Sequence, residues 1–271
     1  MNARELKTAM AAGKRVYGML VVSPSPKWPL ELQKLGMDFV FIDTEHIAID
    51  RHQLSWMCHT FRALNIAPIV RIPAPDPYEA TMVLDCGARG IIAPYVESVE
   101  QVQALRGAVK LRPLKGRKLE NILNGTENLD GEFATYIQRN NEEHILIVNI
   151  ESIPALDALD EILQVPGLDA VLIGPHDLSC SLGVPEQYTH PIFDGAVCTI
   201  LSKARAAGVG AGLHYWKDMN QQVRWAKEFG LNLIVHKSDL TFVVEGYRNE
   251  VGILKGMLGD SSSSVQTSIN I

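Results

Sequence analysis

Two carboxylates close apolar runs in the second half of the chain. Glu151 ends the run that starts at Ile145, and Asp177 follows Val171-Leu-Ile across a Gly174-Pro175 break. Each run reads as a buried strand, the second leading through a tight turn into a helix. Carboxylates at neighbouring strand ends repel one another unless positive charge lies between them. A divalent cation meets that need. Oxygen-only ligation suits a hard ion such as Mg2+ or Mn2+, with water or substrate completing the shell. No H-x-x-H or H-E-x-x-H stretch points to a closed zinc site. The competing assignment makes one carboxylate a helix cap and pairs the other with an arginine.

A base and a fixed cation are offered by the first half. Asp43 and His46 stand together at the end of Phe39-Val-Phe-Ile-Asp. A carboxylate held against an imidazole fixes its tautomer and raises its basicity, as a general base requires. Arg71 interrupts the apolar stretch Ile69 to Ile72. A strand arginine is costly unless it meets an anion. A bidentate grip on a carboxylate or enolate oxygen would justify it, as would an internal pair with Glu45 or Glu151. Lys237, between His236 and Ser238, reads as a solvated rim charge rather than an imine-forming lysine.

These side chains need strand ends to hold them. Apolar runs at 15–22, 39–43, 68–72, 90–94, 145–151, 170–174, 210–215 and 231–237 alternate with helical patterns, beginning with a helix over 2–12 and ending with one over 239–258. No G-x-G-x-x-G follows the first run, which weakens a dinucleotide-binding reading. The pattern predicts the α/β class and a (β/α)8 TIM barrel in one domain, 1–259. In that architecture chemistry sits at the C-terminal strand ends. Polar residues fall there: Asp43 to His46, Arg71, Asn149, Glu151, Asp177, His214, His236. Asp85 ends the helix before the fourth strand. Residues 110–131 show weak periodicity and predict a long loop, a lid or a partner contact.

Bulk properties narrow the class. At 271 residues, 46% hydrophobic and 21% charged, the chain has the make-up of a soluble enzyme. A net charge of −6 without a basic block argues against nucleic acid as a partner. No apolar run is long enough for a membrane, and no signal peptide is evident, so a cytoplasmic protein is expected. Cys58, Cys86, Cys180 and Cys198 form no C-x-x-C pair and are expected as reduced, buried thiols. Residues 260–271, rich in serine, are expected to be a disordered tail or a cloning remnant.

Taken together, FVFIDTEH at 39–46, IVRIP at 69–73, LDCGARGIIAPYVES at 84–98, VNIES at 148–152 and VLIGPHDLSCSLG at 171–183 resemble the HpcH/HpaI aldolase family. The resemblance runs to about residue 258. It implies a metal-dependent pyruvate aldolase on a (β/α)8 barrel, requiring Mg2+, Mn2+ or Co2+. By position it implies Glu151 and Asp177 as metal ligands and Arg71 as the pyruvate and enolate contact. His46 with Asp43 would be the base dyad, and Asp85 an acid reaching the site, possibly from a neighbouring subunit. Asn149 stands where family members often have Gln and would contact substrate. Backbone N–H groups at Gly174, His176 and Asp177 would take the substrate carboxylate, while Pro175 has none to give. A homo-trimer or homo-hexamer exchanging its last helix is also implied. The partners are then a 2-oxo acid such as pyruvate and an aldehyde. Oxaloacetate decarboxylation, CoA-ester cleavage and a non-catalytic binding barrel are the competing functions.

Overall fold

Side chains on a strand alternate between its two faces, and in a closed barrel one of those faces is the lumen. In the computed structural model, which describes residues 1–260, eight parallel strands close in sequence order, β1 pairing with β8. The chain runs α1 (Ala3–Ala11), β1 (Val16–Val21), α2 (Trp28–Gln33), β2 (Phe39–Asp43), α3 (Arg51–Ala63), β3 (Ala67–Arg71), α4 (Pro77–Asp85), β4 (Gly90–Ala93) and α5 (Val99–Lys110). It continues through α6 (Gly116–Leu123), α7 (Gly131–Asn141), β5 (Ile145–Asn149), α8 (Ile153–Asp157), α9 (Leu159–Ile162), β6 (Ala170–Ile173) and α10 (Pro175–Ser181). It ends with α11 (Pro191–Ala206), β7 (Gly210–His214), α12 (Met219–Glu228), β8 (Leu233–Ser238) and α13 (Asp239–Leu258). The expected barrel is observed. The expected serine-rich tail lies, from residue 261, outside the described residues.

Two apolar layers follow from the alternation. Phe39, Phe41, Ile69, Ile92, Ile145, Ile147, Leu172, Leu233 and Val235 fill the lumen, with Leu6 and Met10 of α1 in the same cluster. Val40, Ile42, Val70, Ile91, Leu146, Val148, Val171, Ile173, Ala211 and Leu213 pack outward under the helices. Strands buried on both faces are continuous apolar runs, which is why their polar residues stand out at the ends. Helix starts are set by short side-chain bonds. Asn2 with Glu5, Asp50 with Gln53 and Ser98 with Gln101 form capping boxes on α1, α3 and α5.

Three expectations need correction. Residues 110–131 are not one long loop: α6 occupies their middle. Leu114, Leu119 and Leu123 pack on a cluster of Leu111, Ile122 and Ile137. Helix spacing of those apolar positions was present but diluted by Lys115, Arg117 and Lys118. The single helical pattern between the fifth and sixth apolar runs is two short helices, α8 and α9. The thiols are unpaired but not uniformly buried: Cys58 is, Cys86 and Cys198 are half-buried, and Cys180 is exposed.

A local irregularity matters for the rim. Between Gly18 and Leu20 of β1, the partner residues on β8 advance from Val235 to Ser238, a bulge. Lys237 adopts a left-handed backbone, φ 57°. The bulge breaks the inward parity that Leu233 and Val235 would hand to Lys237. Its ammonium instead lies 2.5 Å from Glu245 of α13, so it is an ion-paired group and not the solvated charge expected.

Candidate active site

The lumen-facing parity of each strand carries through to its C-terminal end. Beyond Phe41 comes Asp43, beyond Ile69 comes Arg71, beyond Ile147 come Asn149 and Glu151, beyond Leu172 comes Gly174, and beyond Gly212 comes His214. Most of these residues meet at a cavity of about 470 Å3 at the C-terminal mouth. Its walls include Phe41, His46, Arg71, Asn149, Gly174, Asp177 and His214. Another groove, about 510 Å3, lies against α4, α5 and α6. It is the larger space, but the first is where polar side chains from several strands converge, and convergence identifies a site better than volume.

On the β2–β3 side one arginine is ion-paired with two carboxylates. Strand register sets Asp43 beside Arg71. Arg71 donates from Nε and Nη2 to the two carboxylate oxygens of Asp43, at 2.8 and 2.7 Å. Its Nε also lies 3.0 Å from Glu45 Oε2. Burial alone would raise the Asp43 pKa, but the Arg71 fork overcomes it and holds the carboxyl below its ordinary value. Burial likewise opposes the Arg71 charge, and Asp43, Glu45 and Glu151 more than restore it. Arg71 Nη1 makes no hydrogen bond among the described residues, which leaves one edge of the guanidinium for a ligand.

This arrangement corrects the expected Asp43–His46 dyad. The carboxylate of Asp43 is taken up by Arg71 and by the Glu45 backbone N–H at 3.0 Å. The carboxylate nearest His46 is Glu45, with Nε2 to Oε2 at 3.6 Å. The His46 side chain is half exposed at the cavity wall. Glu45 is therefore a site residue that the sequence reading used only as an alternative partner for Arg71.

On the β5–β6 side the charges are not balanced. Glu151 is buried. It accepts from the Tyr95 backbone N–H and from Asn149 Nδ2, each at 2.8 Å. Tyr95 reaches it from a left-handed backbone, φ 55°. Burial raises the Glu151 pKa; the Tyr95 N–H pulls the other way, and the nearby Asp177 charge raises it further, to about 7. Gly174 closes over this carboxylate so tightly that a Cβ there would run into Glu151 Oε2. Asp177 sits in the first turn of α10 at the cavity wall.

No group of three or more metal-ligating side chains assembles among the described residues. Two carboxylates, one buried with its charge uncompensated, fit a hard divalent cation that takes its remaining ligands from water and substrate. The neighbouring Asn149 Oδ1 is buried and has no hydrogen-bond partner among the described residues.

Other expected residues fall farther out. His176 is exposed at the rim, with Nδ1 3.6 Å from Glu186. Asp85 ends α4 in the second groove, paired with Arg112, and does not reach the cavity of its own chain. His214, visible in the sequence only as a polar strand end, lines the cavity beside Phe41 and Trp216.

The chain also matches known proteins. Residues 17–232 match the family model described as HpcH/HpaI aldolase/citrate lyase. A hydroxypyruvate/pyruvate aldolase from Sagittula stellata is 30% identical over 88% of this chain and 92% of its own length. A 2-keto-3-deoxy-L-rhamnonate aldolase from Escherichia coli is 35% identical over 72% and 73%. Among solved structures, an HpcH/HpaI aldolase from Desulfitobacterium hafniense superposes with a TM-score of 0.77 at 27% identity, covering 92% of this chain and 96% of that one.

Proposed function

Because the chain belongs to the HpcH/HpaI aldolase/citrate lyase family and is thereby a carbon–carbon lyase, we propose that it cleaves the C3–C4 bond of a 4-hydroxy-2-oxo acid into pyruvate and an aldehyde, and runs the reverse addition. One observation carries this reading. An ion-paired arginine and a carboxylate pair without a cation of its own, Glu151 and Asp177, stand at the mouth of one barrel, with Arg71 and Asp177 lining the same cavity. A 2-oxo acid complements both, with anionic oxygens for the first and chelating oxygens for the second.

A divalent cation held by Glu151 and Asp177 would supply Lewis acidity toward the carboxylate and 2-oxo oxygens. Mg2+, Mn2+ and Co2+ all suit that donor set. The chain's own groups do the rest. Arg71, fixed by Asp43, presents its free edge to the oxygen on which negative charge develops. His46 takes the proton of the 4-hydroxyl as the C3–C4 electron pair moves into the enolate. A proton delivered to C3 then gives pyruvate. Asn149 Oδ1 and the first turn of α10, with Gly174, His176 and Asp177, bind the polar end of the substrate.

Assembly belongs to the same reading. Along α13, Phe242, Val243, Tyr247, Ile253, Leu254 and Met257 are exposed. That is a larger apolar face than a solvated helix carries. A homo-trimer or homo-hexamer covers it, and it brings Asp85 to a neighbour's cavity.

The test is a screen of pyruvate with a panel of aldehydes under Mg2+, Mn2+ and Co2+. Aldol product should form only with metal present. Product formed without metal, or inactivation by borohydride in the presence of pyruvate, would replace this mechanism with an imine route.

A further inference from the structure

Helix α10 carries a side-chain cluster that the aldolase chemistry does not use. Cys180 stands one turn after His176, so both side chains leave the same face of the helix. Cys180 Sγ lies 3.9 Å from His176 Nε2. On the other side of the ring, Nδ1 lies 3.6 Å from Glu186 Oε1. The order is thiol, imidazole, carboxylate. His176 and Glu186 both line the mouth of the cavity.

The carboxylate is held there by the backbone. Glu186 has φ 58°, a left-handed conformation uncommon for a residue with a side chain. The buried Ser179 hydroxyl keeps it so. It accepts from the Glu186 N–H at 3.0 Å and donates to the His176 carbonyl at 2.8 Å. One hydroxyl thus ties the Glu186 turn to the residue whose ring the carboxylate faces. Fold stability gives no reason for this arrangement. His176, Cys180 and Glu186 are all exposed, and exposed polar contacts contribute little.

Donor chemistry says what the cluster takes. A thiolate and an imidazole nitrogen favour Zn2+ over the hard ions Mg2+ and Mn2+. Tetrahedral zinc, with bonds of about 2.3 Å to sulfur and about 2.0 Å to nitrogen, sets those two atoms about 3.5 Å apart. The observed 3.9 Å needs only a small rotation of two exposed side chains to match. A carboxylate on the far side of the ring is the common companion of a zinc-bound histidine. It favours the tautomer with the proton on Nδ1 and the lone pair on Nε2. The two protein ligands leave the rest of the shell to water.

We propose that Cys180 and His176 form a second cation site, for Zn2+ and similar thiophilic ions, with Glu186 orienting the imidazole. On binding, the Cys180 thiol proton passes to solvent, and the thiolate and Nε2 each donate a lone pair to the ion. An ion there stands at the lip of the cavity and hinders substrate entry, so Zn2+ inhibits a protein that Mn2+ activates. The site is independent of the aldolase reading, and the inhibition rests on it.

Co2+ reports such a site optically, because cobalt–thiolate bonding gives a near-ultraviolet charge-transfer band that oxygen ligands do not. The full chain, reduced and saturated with Mn2+, is titrated with Co2+ and then with Zn2+. Stoichiometric Co2+ should raise the band and Zn2+ should remove it. Cys180→Ser should abolish the band, and Glu186→Gln should weaken Co2+ affinity about 10- to 100-fold. Cys180 is exposed, so the serine variant should fold and keep wild-type activity with Mn2+ alone. Zn2+ added to the Mn2+-loaded enzyme should inhibit aldol addition in wild type at a concentration at least about tenfold lower than in Cys180→Ser.

No band in wild type overturns the site. So does an equal band in Cys180→Ser, which would put the ion on another cysteine. Unchanged affinity in Glu186→Gln overturns the orienting role of Glu186. Equal Zn2+ sensitivity of wild type and Cys180→Ser overturns the inhibition, since Zn2+ would then act by replacing Mn2+ at Glu151 and Asp177. A Cys180-dependent band in a protein that makes no aldol product with any metal overturns the aldolase reading and leaves the site standing.

Discussion

Two halves of one rim treat their carboxylates in opposite ways. On β2 and β3, Asp43 is neutralised inside the chain by the two-pronged bond from Arg71, and its pKa falls. On β5 and β6, Glu151 is also buried, accepts from N–H groups, lies near the charges of Asp177 and Glu45 without an ion pair of its own, and its pKa rises to about 7. The first half is complete as folded. The second gains from added positive charge, whether a proton or the cation proposed above. Preorganised stabilisation of a developing anion needs the first kind of construction, and cation capture needs the second.

The largest expected effect removes the unbalanced half. Glu151→Gln or Asp177→Asn should lower kcat/KM for retro-aldol cleavage by at least about three orders of magnitude under saturating Mn2+. Steady-state assays with purified variants measure it. Activity within tenfold of wild type would make this pair a structural feature.

Arg71→Lys strikes the ion-paired half. It keeps the charge and loses the planar fork. A loss of roughly two to four orders in kcat/KM is expected, about 3 to 5 kcal/mol of transition-state stabilisation. Asp43→Asn removes the two-pronged partner of buried Arg71 and leaves it Glu45, and should cost up to about 3 kcal/mol of folding stability in denaturant titrations. Loss of activity without loss of stability in that variant would mean that Asp43 acts on the substrate and not through Arg71.

His46→Ala is narrower still. Retro-aldol cleavage should fall by about two to four orders, the usual worth of a positioned base. Oxaloacetate decarboxylation should fall much less, because loss of CO2 reaches an enolate without removing a hydroxyl proton. Equal losses in both reactions would move the base assignment elsewhere.

The two halves also predict opposite pH dependence of stability in metal-stripped protein. The raised pKa of Glu151 contributes stability that is fully present below its ordinary value of 4.5 and lost as pH rises through about 7. That loss is up to about 3 kcal/mol. The depressed pKa of Asp43 contributes stability above its ordinary 3.8, lost only as pH falls through the lower folded value. Denaturant titrations from pH 4.5 to 7.5 should show a decline that Glu151→Gln abolishes. A decline of the same size in that variant would place its origin in another group.

The barrel and most of the rim were legible because buried parallel strands leave few polar residues, and those few fall at the ends. Asp43, Arg71, Asn149 and Glu151 share the inward parity of Phe41, Ile69 and Ile147, which a period-two reading reaches unaided. Partner choice was not legible. His46 is near Asp43 in sequence, but the β2–β3 register sets Arg71 beside it. Tyr95 donates to Glu151 through its backbone, which no side-chain pattern encodes. The β8 bulge diverts Lys237, and nothing in the run Leu233 to Ser238 announces it. Asp85, expected at the site, lies in the groove against α4, α5 and α6 and is paired with Arg112.

The central claim is that the β5–β6 half takes a divalent cation and the whole rim then forms an enolate from pyruvate. Deuterium exchange at C3 of pyruvate, followed by proton NMR, tests it most directly. Metal-stripped wild-type protein should show no exchange, Mn2+ should switch exchange on, and Glu151→Gln should stay silent with Mn2+ at the same concentration. Exchange at the wild-type rate in the stripped protein, or in Glu151→Gln, would contradict the account.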